Sequence, residues 1–579
     1  MTAIWGSDVV ADFLRSTRVP YLALNPGSSY RGLHDSLVNY LGANDPGLLL
    51  CLHEEHAVAI AHGWAKVTGK PMAVAIHANV GLMHASMALY NAWCDRVPML
   101  VIGANGPLDA AKRRPWIDWI HSTADLAALV RPFVKWDDQP ISVTASVQSL
   151  ARAWDVTRAY PQAPTFVTLD VTMQEERLQE SVAIPAITTG APNDTPVASP
   201  DSIERAVALL RAARNPVILL GRTSRNLDDW NRRIRLAEAL SARIITDLKV
   251  GAAFPTAHPL HVSGPGVFLG PAGQEAIRNA DCILALDWVD VAGTLSQAKD
   301  RPEDASLISA TLDHILHNGW TRDHQARAEV DVLLPTTADL AVEQLLAALE
   351  TGADSSKSEW TPAASTRTTE KRAEGDESPI MLPELAGALR DALGEERASL
   401  VRLPLGWNGD DWDFRHPLDY LGSDGGGGIG SGPGMLVGAA LALRGTDRLP
   451  IAILGDGDYM MGVQALWTAA NKNIPMLAIV ANNRSYFNDE VHQERVAVER
   501  GRDVSRKWIA QRIDEPAPDL AAMARAQGLV GIGPVTRIEE LPAALESAIE
   551  QLKHGRAVVV DVVVGVGYTP AMAEALVRD

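Results

Sequence analysis

Short apolar runs alternate with helical patterns along the whole chain. The first third contains the strand-like runs VPYLALNPG, PMAVAIH and PMLVIGA, with the helical stretch HAVAIAHGWAKVTG among them. The middle third repeats the pattern in NPVILLGR, ARIITDLK and DCILALDW, and the last third in PIAILGDGD, PMLAIVANN and RAVVVDVVV. Strands that alternate with helices predict βαβ units with parallel sheets covered by helices. The sequence therefore predicts an α/β protein.

Two polar stretches divide this pattern into thirds. The first is ITTGAPNDTPVASPDS at residues 187–202, and the second is the longer run from 350 to 379. The second has too few large apolar residues to bury the surface that folding requires. A chain of 579 residues also exceeds what one core can hold. We expect three α/β domains at 1–185, 198–350 and 380–579, with 351–379 as an exposed linker.

Composition and charge exclude several classes of function. The chain is 47% hydrophobic and 21% charged, which is typical of a soluble globular protein. Its 52 Lys and Arg against 71 Asp and Glu give a net charge of −19, so a nucleic-acid partner is not expected. No signal peptide or apolar run of roughly 18 to 20 residues is visible, so we expect a cytoplasmic protein without a membrane partner. The three cysteines show no metal-binding spacing and are expected to be buried thiols.

The segment from 455 to 483 carries the strongest chemical signal. An apolar strand runs into Gly-Asp-Gly at 455–457, and a second strand ends at the Asn-Asn pair 482–483. The carboxyl ends of parallel strands meet at one sheet edge, so Asp456 and Asn483 should lie side by side. Carboxylate, amide and diphosphate oxygens together suit Mg²⁺, and a helix starting near Asp458 would add N–H donors for a diphosphate. Taken alone, Gly-Asp-Gly would fit a simple strand-to-helix turn equally well.

This pattern, Gly-Asp-Gly followed at a distance by Asn-Asn, resembles the thiamine diphosphate (ThDP) dependent superfamily of benzoylformate decarboxylase, pyruvate decarboxylase and acetolactate synthase. The resemblance covers nearly the whole chain and implies pyrimidine-binding, central and diphosphate-binding domains. It implies ThDP and Mg²⁺ as cofactors, with Asp456, Asn483 and the backbone carbonyl of Ser485 as metal ligands. Relatives usually carry Ser at the position of Asp458, so the role of this acid is unexplained. The cofactor contacts implied in this segment are Gly455, Asp456, Gly457, Asp458, Asn483 and Ser485.

A second signal is His-Glu-Glu-His at 53–56, ahead of an Ala- and Gly-rich helix. A Glu at this place could simply begin the helix. The resemblance gives Glu54 a further role, as the carboxylate that shares a proton with the cofactor's pyrimidine ring and so activates it. In relatives this Glu reaches the cofactor held by another subunit. A homodimer or a dimer of dimers with shared active sites is therefore implied.

A glycine-rich run, SDGGGGIG at 423–430, is the third signal. It lacks the second half of a dinucleotide-binding fingerprint, and a flexible loop is the alternative interpretation. By the resemblance, Ile429 would wedge between the two rings of the cofactor. The carbonyl of Gly427 would then accept a hydrogen bond from the exocyclic amine of the pyrimidine.

Several residues are expected to face the substrate. The Asn-Pro-Gly-Ser segment resembles a loop of benzoylformate decarboxylase, which implies that Ser28 contacts a substrate carboxylate. His77 ends a predicted strand where that relative carries a proton-transfer His, and an imidazole suits this task near pH 7. Asp489 lies where pyruvate decarboxylase-like enzymes place a catalytic Glu. A second active-site His of benzoylformate decarboxylase is replaced near Thr294. The aromatic and basic segment 113–121 is expected at a subunit interface or a pocket entrance.

These features predict a ThDP- and Mg²⁺-dependent lyase or ligase of carbon–carbon bonds. The first interpretation is a non-oxidative 2-oxo acid decarboxylase or carboligase that acts on a small 2-oxo acid or aldehyde. The alternative is a 2-hydroxyacyl-CoA lyase or oxalyl-CoA decarboxylase type, for which Arg222, Arg225 and Lys249 could bind the phosphates of an acyl-CoA. Acetolactate synthase homologues often bind FAD in the central domain, but no residue here supports it. A non-catalytic ThDP-binding regulator is disfavoured because the activating acid and both metal-binding side chains are present.

Overall fold

Three parallel β-sheets, one in each third of the chain, organise the protein. The computed structural model describes residues 3–187, 195–262, 264–299, 302, 304–315, 328–350 and 377–568. One sheet has six strands and the other two have five each. All neighbouring strands within these sheets run parallel. The predicted α/β class with three parallel-sheet domains is confirmed.

The first sheet belongs to the amino-terminal third. Its strands are β1 (Tyr21–Leu24), β2 (Gly47–Leu50), β3 (Ala73–His77), β4 (Met99–Asn105), β5 (Trp136–Asp138) and β6 (Pro164–Asp170), in the order β2-β1-β3-β4-β6-β5. Its helices are α1 (Gly6–Thr17), α2 (Arg31–Asp35), α3 (Glu54–Thr68), α4 (Ala78–Cys94), α5 (Ile117–His121), α6 (Val143–Arg158) and α7 (Val171–Gln174). Strands β4 and β6 are buried along their whole length, which explains their continuous apolar runs.

The central sheet is flanked by shorter elements. Its strands are β7 (Pro216–Leu220), β8 (Arg243–Ile245), β9 (Cys282–Leu286), β10 (Ser306–Ala310) and β11 (Val332–Leu334), in the order β11-β10-β9-β7-β8. Its helices are α8 (Pro200–Ala212), α9 (Leu227–Leu240), α10 (Pro271–Arg278), α11 (Val291–Ser296) and α12 (Ala338–Glu350). The carboxyl ends of β7, β9 and β10 lie next to one another because these strands are neighbours in the sheet.

The third sheet carries the strongest sequence signal. Its strands are β12 (Arg397–Leu400), β13 (Arg448–Gly455), β14 (Met476–Asn482), β15 (Val530–Val535) and β16 (Ala557–Val563), in the order β12-β13-β14-β16-β15. Its helices are α13 (Leu382–Leu393), α14 (Gly432–Leu443), α15 (Asp456–Gly462), α16 (Ala465–Asn471), α17 (Phe487–Glu499), α18 (Leu520–Ala526) and α19 (Leu541–Lys553). Strands β13 and β14 are neighbours, and Gly455 pairs with Ala481 at their carboxyl ends.

The predicted domain limits stay a prediction, because the connecting segments are described only in part. Most of the predicted linker, residues 351–376, lies outside the described residues, and so do residues 188–194 of the first polar stretch. The cysteines match expectation in that Cys51 and Cys282 are buried free thiols, while the free thiol Cys94 is partly buried. Among the described helices, none combines the length and the hydropathy that a bilayer span requires.

Helices α3 and α14 bring the first and third domains of one chain into close contact. A methyl group on Gly63 would lie 2.0 Å from the carbonyl oxygen of Met435, and one on Gly438 would lie 1.9 Å from that of Ile60. Only glycine allows backbones to approach this closely. The helix that begins at Glu54 therefore packs directly on the helix that follows the glycine-rich run.

Candidate active site

Glu54 is a buried carboxylate at the first position of α3. Its residue is 6% exposed, and Nδ1 of His84 lies 3.0 Å from Glu54 Oε2. The ring of His53 stacks on that of His84, with 4.6 Å between the ring centroids. A methyl group on Gly81 would lie 2.9 Å from Glu54 Oε1, so this glycine keeps space beside the carboxylate. The acid that the sequence singled out thus lies between the amino-terminal ends of α3 and α4.

His84 is a residue that sequence reasoning missed. It lies inside α4, where a histidine in a helical pattern gives no signal of its own. Its ring nitrogen, one of His53 and an oxygen of Glu54 lie within 4.8 Å of one another, a spacing that could hold a metal ion. However, Nδ1 of His53 already accepts a hydrogen bond from the backbone N–H of Glu55, at 3.2 Å. The arrangement therefore orients the carboxylate without requiring a metal.

His77 ends strand β3 and faces two further polar side chains. Its Nδ1 lies 2.8 Å from the hydroxyl oxygen of Ser29, and its ring meets that of His121 edge-on, with centroids 4.9 Å apart. Burial lowers the pKa of His77, and the nearby His121 lowers it further, whereas Glu54 acts in the opposite direction. The predicted contact Ser28 is exposed and belongs to a short turn that begins after Gly27. Ser29 is thus the serine that lies against His77. The contact of Ser28 with a substrate carboxylate stays a prediction.

The aromatic and basic segment 113–121 has two different surroundings. Its last residue, His121, is held near the end of β4 because Gly106 donates its backbone N–H to the His121 carbonyl at 3.2 Å. The side chain of Asn79 donates to the carbonyl of the preceding residue at 3.1 Å. By contrast, Trp116 and Trp119 are 69% and 78% exposed. One end of the segment reaches the site, and its place at a subunit interface stays a prediction.

Asp456 and Asn483 meet at the carboxyl edge of the third sheet. The backbone N–H of Ser485 lies 3.2 Å from Asp456 Oδ2 and 3.0 Å from Asn483 Oδ1. The N–H of Gly457 donates to Asp456 Oδ1 at 2.9 Å. Both side chains therefore lie around one backbone amide, as their places after adjacent strands predict. Their binding of a metal is taken up below as a proposal.

The electrostatics of Asp456 fit a cation. Burial raises the pKa of Asp456 to about 6, although backbone N–H donors, including those of Gly457 and Ser485, lower it in part. Among the described residues, Asp456 forms no ion pair with a Lys, Arg or His, and its hydrogen bonds come from backbone N–H groups. A buried carboxylate without a cationic partner is costly, and a hard divalent cation with oxygen ligands would supply the missing charge. The donor set of Asp456 and Asn483 therefore fits Mg²⁺.

Glu490 is a second residue that the sequence did not reveal. It is 1% exposed, and its Oε1 accepts hydrogen bonds from the hydroxyl of Ser485 at 2.5 Å and from Nε of Arg512 at 3.2 Å. The neighbouring Asp489, which was expected in the pocket, is exposed in the first turn of α17. The buried acid next to the predicted metal ligands is thus Glu490. A pocket role for Asp489 stays a prediction.

The glycine-rich run forms a loop that leads into α14. Gly425, Gly427 and Gly430 have φ values of 81°, 72° and 107°, a region that side chains strongly disfavour. Ile429 is 36% exposed at the surface of this loop. The run is therefore a shaped turn with defined backbone angles, which presents Ile429 and the backbone of Gly427 outward.

The corresponding edge of the central sheet is occupied by ion pairs. Arg222 follows β7 and pairs with Asp287 at 3.1 Å and with Asp313 at 2.7 Å. Asp313 also pairs with Arg96 of the first domain, at 2.6 Å. Burial lowers the pKa of Arg222, but the two carboxylates outweigh this effect and the pKa is raised overall. Arg222 could bind a phosphate only if these pairs were broken.

The other two basic candidates in the central domain are also engaged. The guanidinium of Arg225 lies 3.2 to 3.4 Å from four backbone carbonyl oxygens, and burial lowers its pKa to about 10. Those carbonyls belong to Lys66, Ala252, Pro417 and Leu421. Lys249 pairs with Asp247 at 2.6 Å. Thr294 is buried and accepts a hydrogen bond from the indole of Trp288 at 2.7 Å. The three basic side chains thus already connect segments within and between domains. Their binding of an acyl-CoA phosphate stays an open alternative.

Comparison with known proteins agrees with this architecture. Three models match the chain: the N-terminal TPP binding domain of thiamine pyrophosphate enzymes at 4–129, their central domain at 203–326 and their C-terminal TPP binding domain at 406–562. Benzoylformate decarboxylase of Pseudomonas aeruginosa is 26% identical over 515 residues, covering 86% of this chain and 89% of that one. The large subunit of acetolactate synthase isozyme 3 of Escherichia coli is 24% identical over 588 residues, covering 97% and 95%.

A solved structure shows the same fold. The crystal structure of benzoylformate decarboxylase from Polynucleobacter necessarius superposes with a TM-score of 0.77, over 98% of this chain and 100% of that one, at 21% identity. Together with the three domain matches, this likeness extends over all three sheets. The chain belongs to the thiamine pyrophosphate, that is thiamine diphosphate, dependent enzyme family.

Proposed function

We propose that this enzyme uses ThDP and Mg²⁺ to cleave or form the carbon–carbon bond next to the carbonyl of a 2-oxo acid. It would act as a non-oxidative decarboxylase or as a carboligase. The observation that carries the proposal is the pairing of two sites in one chain. Buried Glu54 begins α3, and Asp456 and Asn483 surround one backbone amide at the edge of the third sheet. Relatedness to a benzoylformate decarboxylase and to an acetolactate synthase over most of the chain supports this choice.

The third sheet would hold the metal and the diphosphate. Asp456 and Asn483 would coordinate Mg²⁺ through side-chain oxygens, and Ser485 through its backbone carbonyl. Glu490, which accepts a hydrogen bond from the Ser485 hydroxyl, would fix the turn that carries two of these ligands. Gly457 leaves no room for a side chain, because a methyl group there would lie 2.8 Å from the ring of Tyr486. When bound, ThDP supplies a carbon nucleophile and an electron sink for bond cleavage.

The first domain would move the protons. Glu54 would exchange a proton with the pyrimidine ring, and His84 would hold its carboxylate in one orientation. Ser29 engages Nδ1 of His77, which leaves Nε2 to carry a proton to or from the substrate. Burial and the nearby His121 lower the pKa of His77, which favours the neutral ring that can accept a proton. In this proposal, proton transfer belongs to the first domain and metal binding to the third.

A homodimer with shared sites would complete the pocket. Four large apolar side chains near Glu54 and the glycine-rich loop are exposed in a single chain. They are Leu52, Met83, Ile429 and Met461, exposed by 46%, 59%, 36% and 51%. Such clustered exposure of apolar groups marks a surface that is covered in the working protein. Light scattering coupled to size exclusion tests this part, since a monomer under assay conditions would contradict it.

The activity itself is tested by a substrate screen. ThDP and Mg²⁺ are added to the apo-protein, and CO₂ release is measured with aliphatic and aromatic 2-oxo acids, with the products identified by NMR. An aldehyde product would establish a decarboxylase, and a hydroxyketone would establish a carboligase. The same protein with EDTA in place of Mg²⁺ is the control. Measurable ThDP binding without CO₂ release from any acid would contradict the proposed substrate class, and failure to bind ThDP would contradict the whole proposal.

A further inference from the structure

Three charged side chains form a buried cluster under the glycine-rich loop. Arg402 lies two residues beyond β12, and its guanidinium pairs with Asp424 through Nη1 and with Asp458 through Nε, the latter at 2.7 Å. The side chains of the two aspartates are 2% and 5% exposed, and that of Arg402 is 12% exposed. The backbone of Arg402 is fixed as well, because Ile453 of β13 donates its N–H to the Arg402 carbonyl at 3.0 Å. The cluster is thus anchored to the third sheet.

The two aspartates hold the loop by its backbone amides. Asp424 Oδ1 accepts a hydrogen bond from the N–H of Gly427 at 2.9 Å. Asp458 Oδ1 accepts from the N–H groups of Gly430 and Gly432, at 2.6 and 3.2 Å. A carboxylate that accepts backbone N–H bonds forms stronger hydrogen bonds than a neutral acceptor does. Both ends of the loop are therefore tied to one guanidinium through one carboxylate each.

The outer side of the loop is held by the first domain. Nδ2 of Asn91, from α4, donates to the carbonyl of Gly428 at 3.2 Å and to the hydroxyl of Ser431 at 3.1 Å. Gly425 lies so close to α4 that a methyl group on it would be 2.6 Å from the backbone nitrogen of Asp95. The loop is therefore held by the carboxylates of Asp424 and Asp458 and by the amide side chain of Asn91. Ile429, between the tied positions, remains exposed.

Charge balance explains why an acid can occupy position 458. Asp458 lies two residues from Asp456, and in the proposed function this region receives a diphosphate. An uncompensated carboxylate there would repel the anion and would be costly to bury. Arg402 supplies the compensating charge on the inner side. The acid that the family resemblance left unexplained thus has a structural partner and two backbone donors.

We propose that Arg402, Asp424 and Asp458 are positioning residues that hold residues 425–431 in the shape which presents Gly427 and Ile429 to the cofactor. The cofactor part of this proposal rests on the proposed function, whereas the shape of the loop does not. None of the three side chains needs to touch the cofactor. Their effect would pass through the loop backbone, so it is measurable in the apo-protein.

The loop is tested first without any cofactor, by hydrogen–deuterium exchange of peptides that cover 425–432. Asp458→Ser removes the charge and replaces the carboxylate by a shorter hydroxyl that cannot reach both amides as Oδ1 does. We expect at least about tenfold faster exchange of these amides, since each weakened bond involves a charged group. Asp458→Asn keeps an acceptor oxygen and should give an intermediate rate. The matched control is Asp447→Asn, because Asp447 is 67% exposed and pairs with exposed Arg397 in the same domain. Unchanged exchange in a folded Asp458→Ser variant would overturn the proposal.

A second variant guards against misfolding, and a second readout addresses the cofactor. Arg402→Lys keeps the charge but cannot bridge both carboxylates in the same way, so exchange at 425–432 should rise by several-fold while the melting temperature stays near that of the parent.

With ThDP and Mg²⁺, exchange of the C2 proton of bound ThDP, followed by NMR, should slow by about tenfold in Asp458→Ser, because a displaced loop no longer shapes the cofactor. A loop that loosens without any change in C2 exchange would overturn the positioning role. Absence of ThDP binding by the parent would instead refute the proposed function and leave the loop result intact.

Discussion

The carboxyl edges of the third and the central sheets are built alike but differ in how their charged groups are paired. At the third sheet, Asp456 and Asn483 face one amide, and Asp456 forms no ion pair with a cationic side chain of the described residues. At the central sheet, Arg222 is neutralised by Asp287 and Asp313, which follow neighbouring strands. Both edges lie where ligands bind in parallel α/β sheets. The difference lies in whether the polar groups already have partners of opposite charge.

This contrast teaches that the position of a charged residue in the fold does not by itself make a binding site. A buried carboxylate without a cation stores an unfavourable solvation energy that a metal can relieve. An arginine between two carboxylates has no such deficit, and binding a phosphate would first require those pairs to break. The edge of the third sheet is therefore the candidate site. At the edge of the central sheet the charged groups are already paired with one another.

Glu54→Gln gives the largest expected effect and tests whether the first domain completes a cofactor site with the edge of the third sheet. The amide cannot share a proton with a ring nitrogen as the carboxylate does, so turnover should fall by about a thousandfold, within the range of lost acid–base catalysis. Binding of ThDP, followed by tryptophan fluorescence, should change little. Glu55→Gln on the next position of α3 is the matched control and should retain turnover within a few-fold. Full activity of Glu54→Gln would rule out its activating role.

Asp456→Asn tests whether the edge of the third sheet binds the metal. The amide has nearly the same shape but lacks the charge that Mg²⁺ requires, so the dissociation constants of Mg²⁺ and ThDP should rise by about a hundredfold. Isothermal titration with each ligand in the presence of the other measures this change. Asp410→Asn serves as control, because Asp410 is exposed and distant in sequence from the proposed ligands. Unaltered Mg²⁺ affinity in Asp456→Asn would show that the metal binds elsewhere.

Arg222→Met tests whether the ion pairs at the edge of the central sheet stabilise the fold without serving the cofactor. The substitution leaves Asp287 and Asp313 without this shared partner, so the free energy of unfolding should fall by about 2 to 3 kcal/mol. The affinity for ThDP should stay the same, because this edge is not the proposed cofactor site. Chemical denaturation at neutral pH measures stability, with exposed Arg397→Met as the comparison. A loss of ThDP affinity without a loss of stability would reverse the assignment of the two edges.

The smallest expected effect concerns acid stability near the candidate site. Burial, followed by nearby His53, lowers the pKa of His56 to about 4, whereas the unfolded residue titrates near 6.5. The unfolded state therefore binds more protons between these values, so stability is complete above about pH 6.5 and is lost as the pH falls. For this one group the loss at pH 5 is about 2 kcal/mol. His56→Gln should flatten the fall in melting temperature between pH 7 and 5, while exposed His554→Gln should not.

Much of the fold, and the meeting of Asp456 and Asn483 at one sheet edge, could be predicted from the sequence because local patterns determine them. Continuous apolar runs between helical stretches predict the three parallel sheets, and the positions of Asp456 and Asn483 directly after two strands predict the shared edge. The acid Glu54 followed from its motif. The sheets and the shared edge depend on residues that are close in sequence or that follow adjacent strands, so spacing carries that information. The role of Glu54 was implied by the family resemblance.

The remainder depends on contacts that spacing does not encode. Ser29 lies against His77, a contact that the sequence did not reveal, because successive positions of a tight turn direct their side chains differently. Glu490 is buried and Asp489 is exposed because consecutive positions of one helix point in different directions. His84 and Arg402 reach the site from elements whose own sequence has no motif. Their roles emerge only when separate elements pack together.

Arg225 carries a consequence for how the whole protein unfolds. Its guanidinium is surrounded by carbonyl oxygens from the first, the central and the third parts of the chain, at Lys66, Ala252, Pro417 and Leu421. A charge solvated in this way has its hydrogen-bond partners only when all three parts are assembled. Separation of any one of them would leave the cation partly unsolvated until water entered. The three domains should therefore melt as one cooperative unit, and a central domain expressed alone should be markedly less stable than it is within the intact chain.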